Sequence, residues 1–383
     1  MYKKPAYLWL CGTIALSFAW SAQAHASDSQ VDDGLIKVAD VLDTDIRLGE
    51  GTARGAVNVD FPQATFLRVH MAAEGLPWDS KIVLTDRQGN TQAIPAADVT
   101  AAGSEGYYAM SMHSDHLDML VTDANGKVLE SGYTLRVDKV DVGFRRINEI
   151  PSLGALAVIG TDQRKPAVCY QSSEPSAYRR AQAVARTYMN GRMGTAWRVS
   201  SENRMLTNHH VMSNGANAGD YELWFGYEHE SCSDGGIQAG VKVRGGRALV
   251  GDPGLDFQLF TISDSDFERI RRFGHLGLDV GNLASGEVIY IPQHGLGHPK
   301  QLAIVTDGGG RCSITGTPAT LGQYQCDTKG GSSGSPVIKA NTGRAVVLHA
   351  AATSGQNQGH RINAIWPEIQ PYFARGAVPQ TSP

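Results

Sequence analysis

The sequence lacks the features that direct a protein to nucleic acid, a metal ion or the interior of a membrane. Its 383 residues carry 19% charged side chains and a net charge of −4, whereas nucleic-acid-binding domains usually present a strongly basic surface. No two of its five cysteines have the C-x-x-C spacing typical of zinc sites. We therefore expect no nucleic-acid partner and no metal, and the length alone suggests two domains.

The first residues have the pattern of a secretory signal. Lys3 and Lys4 precede an apolar stretch over residues 8–20, and small residues follow. An uncleaved membrane anchor is the alternative, but this stretch is shorter than the ~20 residues that a spanning helix needs. We expect residues 1–26 to be removed after Ala26, which predicts a secreted or periplasmic protein with no stable membrane association.

Four cysteines remain after that cleavage, and an even number in an exported protein indicates two disulfides. The sequence leaves all three connectivities open. We favour Cys312–Cys326, which closes a short loop beside a serine-rich turn, and Cys169–Cys232.

Residues 27–140 are predicted to form a compact β-sandwich-like module. Two similar segments, residues 81–89 and 118–126, each place an apolar strand before a Thr-Asp-x-x-Gly turn. Asp86 and Asp123 in these turns could bind calcium, but single aspartates in tight turns are mostly structural.

The remaining chain divides into three predicted parts. Residues 141–177 form a linker with three prolines, residues 178–375 a domain of short strands and turns, and residues 376–383 a flexible tail. The meander of short strands suits a β-barrel.

Three separated motifs in this domain carry a nucleophile, a base and an acid. Ser333 lies in the glycine-lined turn Lys329-Gly-Gly-Ser-Ser-Gly-Ser-Pro336, directly before an apolar strand. His210 ends the apolar segment Leu206-Thr-Asn-His-His-Val211, and Asp256 lies between Leu255 and Phe257. Because a serine is a weak nucleophile without a base, this combination predicts nucleophilic catalysis.

The segments LTNHHV, LDFQLF and DTKGGSSGSPV resemble the trypsin-like serine endopeptidases, above all their bacterial glutamyl- and lysyl-endopeptidase branch. The resemblance covers at most residues 143–371. It implies an all-β fold, a chymotrypsin-like double β-barrel, and polypeptide substrates with no cofactor. By position it assigns Ser333 as nucleophile, His210 as base, Asp256 as the acid that orients the base, and the backbone N–H groups of Gly331 and Ser333 as the oxyanion hole.

Competing assignments are weaker. Ser332 completes a G-x-S-x-G pattern, but the α/β-hydrolase order of serine, acid and histidine fails because no aspartate follows Ser332. His209 is a neighbour of the base rather than the base, since the family's histidine directly precedes the apolar residue. Asp252 lies in a Gly-Asp-Pro-Gly turn, where aspartate serves the backbone.

The sequence does not fix the substrate side chain. Asp327 occupies the place of the acid that attracts Lys or Arg in trypsin-type enzymes, which favours a basic side chain slightly. Thr328 and His349 are the residue types found around a glutamate pocket, which favours the opposite charge.

Ser332 stands where the animal enzymes carry the aspartate that pairs with a newly cut N-terminus, so that switch is missing. We hypothesise that the N-terminal module regulates the protease domain by blocking it or assisting its folding, or that it binds a surface or a substrate. We expect a monomeric endopeptidase; the alternative is a catalytically silent, secreted binding or adhesion protein.

Overall fold

The computed structural model describes residues 34–49, 55–144, 158–212, 217–233, 235–353 and 355–382. The predicted signal peptide lies outside these residues. Most of the regular structure in the described chain is β-strand, which confirms the predicted all-β class. None of its helices is both long and apolar enough to cross a membrane.

The N-terminal region forms a β-sandwich. Its first strand, β1 (Ile36–Lys37), belongs to a neighbouring barrel, and the next eight strands form two four-stranded antiparallel sheets, ordered β2-β9-β4-β7 and β3-β8-β5-β6. These strands are β2 (Ala39–Gly49), β3 (Ala56–Asp60), β4 (Leu67–Glu74), β5 (Lys81–Asp86), β6 (Thr91–Pro95), β7 (Tyr107–Tyr108), β8 (His116–Thr122) and β9 (Thr134–Gly143), with helix α1 (Ala96–Ala101) after β6. Alternate residues of β5 and β8, such as Ile82, Leu84 and Met119, are buried in one apolar core between the two sheets, as the two-residue period of a strand requires.

The two similar turns of the sandwich are held by their aspartates. Asp86 Oδ1 accepts hydrogen bonds from the backbone N–H groups of Gln88 and Asn90, at 2.9 and 2.8 Å. Asp123 Oδ1 accepts the equivalent pair from residues 125 and 127, both at 2.9 Å. These carboxylates therefore satisfy turn backbone, as expected for the structural interpretation.

A closed six-stranded antiparallel barrel follows. After β10 (Lys165–Pro166) and helix α2 (Pro175–Ala181), the barrel strands run in the order β12-β11-β14-β15-β16-β13, and β13 pairs back onto β12. They are β11 (Val184–Met189), β12 (Arg192–Arg198), β13 (Met205–Thr207), β14 (Glu222–Phe225), β15 (Val241–Asp252) and β16 (Phe257–Ile262). Strand β1 pairs with the first residues of β12, Arg192 and Met193.

The second barrel is an eight-stranded antiparallel sheet that curls onto itself. After helix α3 (Asp264–Ile270), its strands are ordered β10-β18-β17-β21-β22-β23-β20-β19, and a bridge between Val288 and Ser313 joins its first and last parts. They are β17 (Ile289–Gln293), β18 (Gln301–Ala303), β19 (Ile314–Gly316), β20 (Leu321–Tyr324), β21 (Pro336–Lys339), β22 (Ala345–Thr353) and β23 (Gln356–Arg361), before helix α4 (Ile362–Ile369). One apolar cluster contains residues of both barrels, including Trp197, Leu259 and Leu348.

Both favoured disulfides form, Cys169–Cys232 and Cys312–Cys326, with Cα atoms 4.6 and 5.4 Å apart. The predicted linker, residues 141–177, contains strand β10, because Lys165 and Pro166 pair with Leu302 and Gln301 of the second barrel.

Residues 377–382 of the predicted flexible tail form backbone hydrogen bonds with the rest of the chain. Pro379 O accepts a hydrogen bond from Leu278 N at 3.0 Å, and Ser382 N donates to His275 O at 3.1 Å. The tail docks because it satisfies the backbone of the segment that joins the barrels.

Candidate active site

The first barrel holds a carboxylate and an imidazole in one hydrogen-bonded unit. His210 follows the end of β13, and Asp256 lies in the turn between β15 and β16. Asp256 Oδ2 is 2.8 Å from His210 Nδ1, and Oδ1 accepts the backbone N–H of His210 at 3.0 Å. The carboxylate therefore fixes both the ring and the main chain of the histidine, which directs ring atom Nε2 away from Asp256.

The backbone of Asp256 is itself held in an uncommon conformation. Its φ is +45°, a left-handed value that aspartate tolerates better than most residues. The side-chain amide of Asn208 donates to Asp256 O at 2.8 Å. Asn208 thus keeps the turn in place, and sequence reasoning missed this role although the residue lies two positions before His210.

The second barrel supplies the serine turn, which is joined to the first barrel by Thr195 of β12. Thr195 N donates to Ser333 O at 3.0 Å, and Thr195 Oγ1 donates to Gly331 O at 2.9 Å. Gly334 has φ +89°, and a Cβ there would lie 2.0 Å from Thr195 O. Only glycine allows the two backbones to approach this closely.

Ser332 and Ser333 differ in what they contact. Ser332 is fully buried, and its hydroxyl donates to Gln293 Oε1 at 2.6 Å. Ser333 Oγ donates to the carbonyl oxygens of Gly34 and Ala350, at 3.3 and 3.2 Å. Ser332 therefore stabilises the turn, whereas Ser333 faces the seam between the barrels.

Gly34 marks the point where the serine and the histidine converge. A Cβ on Gly34 would lie 2.6 Å from Ser333 Oγ and 3.7 Å from His210 Nε2. The oxygen of Gly34 also accepts the N–H of Gly331 at 2.7 Å. The structure therefore brings Ser333, His210, Asp256 and the Gly331 N–H around the position of Gly34. No sequence motif indicated Gly34, because it contributes a backbone carbonyl and no side chain.

The residues predicted to recognise a substrate side chain are buried and have partners. Asp327 Oδ1 and Oδ2 accept the backbone N–H groups of Ile159 and Gln163, at 2.9 and 2.8 Å, and burial raises the pKa of Asp327. Thr328 Oγ1 donates to Asn357 Oδ1 at 2.9 Å. His349 Nδ1 lies 2.6 Å from the Tyr324 hydroxyl, and burial lowers the pKa of His349 to about 3, which keeps its ring neutral.

The two weaker candidates, Asp252 and His209, form hydrogen bonds within local turns. Asp252 Oδ1 accepts Leu255 N at 2.6 Å and so closes its turn. The carbonyl oxygen of His209 accepts Met212 N at 3.0 Å. In the part of the chain that the structure describes, no group of three or more His, Cys, Asp or Glu side chains is arranged to hold a metal ion.

Comparison with known proteins places this site in a recognised type of domain. Residues 194–348 match the family model of the trypsin-like peptidase domain, and this stretch contains His210, Asp256 and Ser333. That part of the chain accordingly has the trypsin-like peptidase fold.

A relative along most of the chain is secreted RxLR effector protein 73 of Plasmopara viticola. It is 26% identical over 312 residues, which span 75% of this chain and 74% of that protein. Its name describes an effector.

The similarity to solved structures is weaker. A Glu endopeptidase in complex with MPD is 20% identical, with a TM-score of 0.42 over 56% of this chain and 98% of that one. An inactive form of the Rv3671c protease is 14% identical, with a TM-score of 0.40 over 57% of this chain and 99% of that one. With TM-scores below 0.5, neither likeness identifies a substrate or an activity for this chain.

Proposed function

We propose that this protein is an exported serine endopeptidase in which Ser333 is the nucleophile, His210 the general base and Asp256 the residue that orients the base. The observation that carries the proposal is the Asp256–His210 hydrogen bond at 2.8 Å, beside a serine turn whose Gly331 N–H already donates to a carbonyl oxygen at 2.7 Å. The match of residues 194–348 to the trypsin-like peptidase domain supports it independently.

In the proposed reaction, Ser333 Oγ attacks the substrate carbonyl carbon while its proton passes to His210 Nε2. The carbonyl oxygen takes the negative charge and receives hydrogen bonds from the N–H groups of Gly331 and Ser333. Each such donor typically contributes ~3 kcal/mol to the transition state. The C–N bond then breaks, and His210 gives its proton to the leaving amine. Water next attacks the acyl-enzyme while His210 accepts the proton of the water, and His210 then gives that proton to the departing Ser333 oxygen.

Asp256 has a supporting role in this scheme. Its Oδ2 holds the proton on Nδ1 of His210, which leaves Nε2 able to accept the serine proton. Its Oδ1 accepts the backbone N–H of His210, which holds in place the loop that carries the imidazole.

The substrate side chain is a separate question. Because both Asp327 oxygens accept backbone N–H groups and the residue is 2% exposed, the slight preference for Lys or Arg loses its main support. Cleavage of a peptide library decides this: cutting after Glu would assign the pocket to Thr328 and His349, and cutting after Lys or Arg would restore Asp327 to it.

Export is part of the proposal. Disulfides persist in oxidising compartments, and the two in this chain fit a secreted or periplasmic protein. The relative from Plasmopara viticola is also described as secreted.

A second candidate is a catalytically silent secreted binding protein with a protease fold. The relative named as an effector and the engagement of the Ser333 hydroxyl with Gly34 rather than with His210 favour it. It differs from the enzyme in one measurable property, the reactivity of Ser333.

The test is prolonged labelling of the purified, full-length protein with a fluorophosphonate, followed by mass spectrometry of the adduct. We expect one adduct on Ser333, none in Ser333→Ala, and an unchanged adduct in the matched control Ser335→Ala. Ser335 lies in the same turn, and its buried hydroxyl has no hydrogen-bond partner among the described residues. A folded protein that forms no adduct under any condition would favour the binding protein.

A further inference from the structure

The strap, residues 34–37, runs into the candidate active site along the first barrel. Ile36 and Lys37 of β1 pair antiparallel with Met193 and Arg192 of β12, and β12 also carries Thr195, which fixes the serine turn. An added strand on an exposed edge is a common way for a protein to bind an extended peptide. The strap therefore occupies a peptide-binding edge next to the proposed nucleophile.

The first residue of the strap takes the place that a substrate carbonyl would need. Gly34 O accepts the Gly331 N–H at 2.7 Å and the Ser333 hydroxyl at 3.3 Å. The Gly331 N–H is one of the two backbone donors that the proposed mechanism assigns to the negatively charged oxygen. A substrate carbonyl and Gly34 O cannot share that position.

An apolar contact holds the strap in the cleft. Leu35 is 8% exposed and belongs to the same apolar cluster as Val211, the residue after His210. A Cβ on Gly194 would lie 3.2 Å from Leu35 Cδ2 and 3.0 Å from Val211 Cγ1, so the absence of a side chain at residue 194 leaves room for Leu35. Burial of a leucine typically stabilises a contact by about 1.5–3 kcal/mol.

The conformation of Gly34 is that of a block rather than of a substrate. A substrate residue in an extended strand has a φ near −120°, whereas Gly34 has a φ of +77°. In this conformation a Cβ would lie 2.6 Å from Ser333 Oγ. The Ser333 hydroxyl also donates to the carbonyl oxygens of Gly34 and Ala350 rather than to His210, so it is not arranged to give its proton to the base.

We propose that the strap is an intramolecular inhibitor: the Gly34 carbonyl oxygen takes the Gly331 N–H of the proposed oxyanion hole, Leu35 anchors the strap in its apolar contact with Val211, and a substrate must displace both. This inference rests on the proposed endopeptidase function and adds its regulation. The rest of the N-terminal module does not need to leave, because in the described part of that module it is Gly34 that contacts Ser333.

The test compares labelling rates of the full chain with the fluorophosphonate. In Gly34→Ala the added methyl cannot fit against Ser333 Oγ, and alanine also disfavours the left-handed backbone. We expect labelling of Ser333 to be at least about 10-fold faster than in the parent protein. The matched control is Gly89→Ala, which has a similar φ of +82° in a sandwich turn with open space around it; it should label at the parent rate.

Three outcomes separate the inference from the function it depends on. Equal rates in the parent protein and Gly34→Ala, both on Ser333, would overturn the inhibitor and leave the endopeptidase intact. No labelling in either would overturn the endopeptidase. The third outcome is measured as the intact mass of the parent chain and of Ser333→Ala. If the parent chain begins at Leu35 and the Ser333→Ala chain does not, the strap is cut as a substrate, which would also overturn the inhibitor. Faster labelling of Gly34→Ala than of the parent protein, together with a parent chain that is not cut at the strap, supports the inhibitor.

Discussion

Two of the contacts that the N-terminal region makes with the first barrel differ in strength. The docking interface, formed by Arg68 and Ser111 of the sandwich with Asp220, Glu222 and Lys242 of the barrel, is buried and charged. The strap is a two-residue strand with one buried leucine. The difference indicates that the module is docked firmly while its inhibitory end is held lightly, so that the site can open without the module dissociating.

The docking interface owes its strength to Glu222. Its Oε2 accepts Ser111 N at 2.6 Å, and Lys242 Nζ donates to Ser111 O at 2.7 Å. Arg68 donates to Asp220 O at 2.6 Å. Burial raises the pKa of Glu222, but the charges of Lys242 and Arg68 outweigh it and bring that pKa down to about 2.

The largest expected effect follows from removing this carboxylate. Glu222→Ala leaves the largely buried Lys242 ammonium without the carboxylate that lies 3.4 Å from it, which typically costs about 3–5 kcal/mol of unfolding free energy. Urea denaturation measures it, with Glu74→Ala, an exposed glutamate of β4, as the control that changes stability by less than about 0.5 kcal/mol. A loss as small as that of Glu74→Ala would mean that the docking interface is not the firm contact.

Mild acid should destabilise the second barrel at His349 before it affects Glu222. An ordinary histidine has a pKa near 6.5, and burial lowers that of His349 to about 3. As pH falls below 6.5 the unfolded chain binds a proton that folded His349 does not, so stability is lost with acid. We expect a loss of about 2 kcal/mol from this residue between pH 7.5 and pH 5.

The stabilisation by Glu222, in contrast, is lost only between about pH 4.5 and its pKa of about 2. Urea titrations at several pH values distinguish the two groups. His349→Gln should show a smaller loss between pH 7.5 and pH 5 than the parent; an identical loss would assign the acid sensitivity to other groups.

A smaller effect is expected from weakening the strap at its anchor. Leu35→Asp places a carboxylate in the apolar contact with Val211, which raises the population of molecules with an open site. We expect about 10-fold faster fluorophosphonate labelling, equivalent to about 1.4 kcal/mol, with little change in urea stability. Leu35→Met, which keeps an apolar side chain of similar volume, is the control and should label at the parent rate.

The smallest effect is expected at the exposed end of the strap. Lys37 Nζ lies 2.8 Å from Asp40 Oδ1, but both side chains are largely exposed to solvent. Such surface pairs contribute about 0–1 kcal/mol. Lys37→Ala should therefore leave both stability and labelling nearly unchanged; a marked acceleration of labelling would show that this ion pair, and not Leu35, holds the strap.

Side-chain patterns predicted much of this arrangement. The all-β class, the residues that meet at the seam between the barrels, and the presence of two disulfides could be predicted because serine, histidine, aspartate and cysteine carry their chemistry in their side chains, although the sequence left the pairing of the cysteines open. The catalytic roles of Ser333, His210 and Asp256 stay predictions.

The parts that could not be predicted depend on backbone groups. Gly34 contributes a carbonyl oxygen, the tail docks through Pro379 O, and Asp327 accepts the N–H groups of Ile159 and Gln163. Every residue has such groups, so no residue type signals them. Asn208 is the exception, since its side chain fixes the turn of Asp256 and its position beside the histidine pair could have indicated it.

The most direct measurement is hydrolysis of a denatured protein such as casein by the Gly34→Ala chain, compared with the same chain also carrying Ser333→Ala. We predict steady hydrolysis by the first and a reduction of roughly 10⁵-fold or more in the second. Hydrolysis that survives the loss of Ser333, or a folded Gly34→Ala chain that labels on Ser333 yet cleaves no polypeptide, would contradict the account.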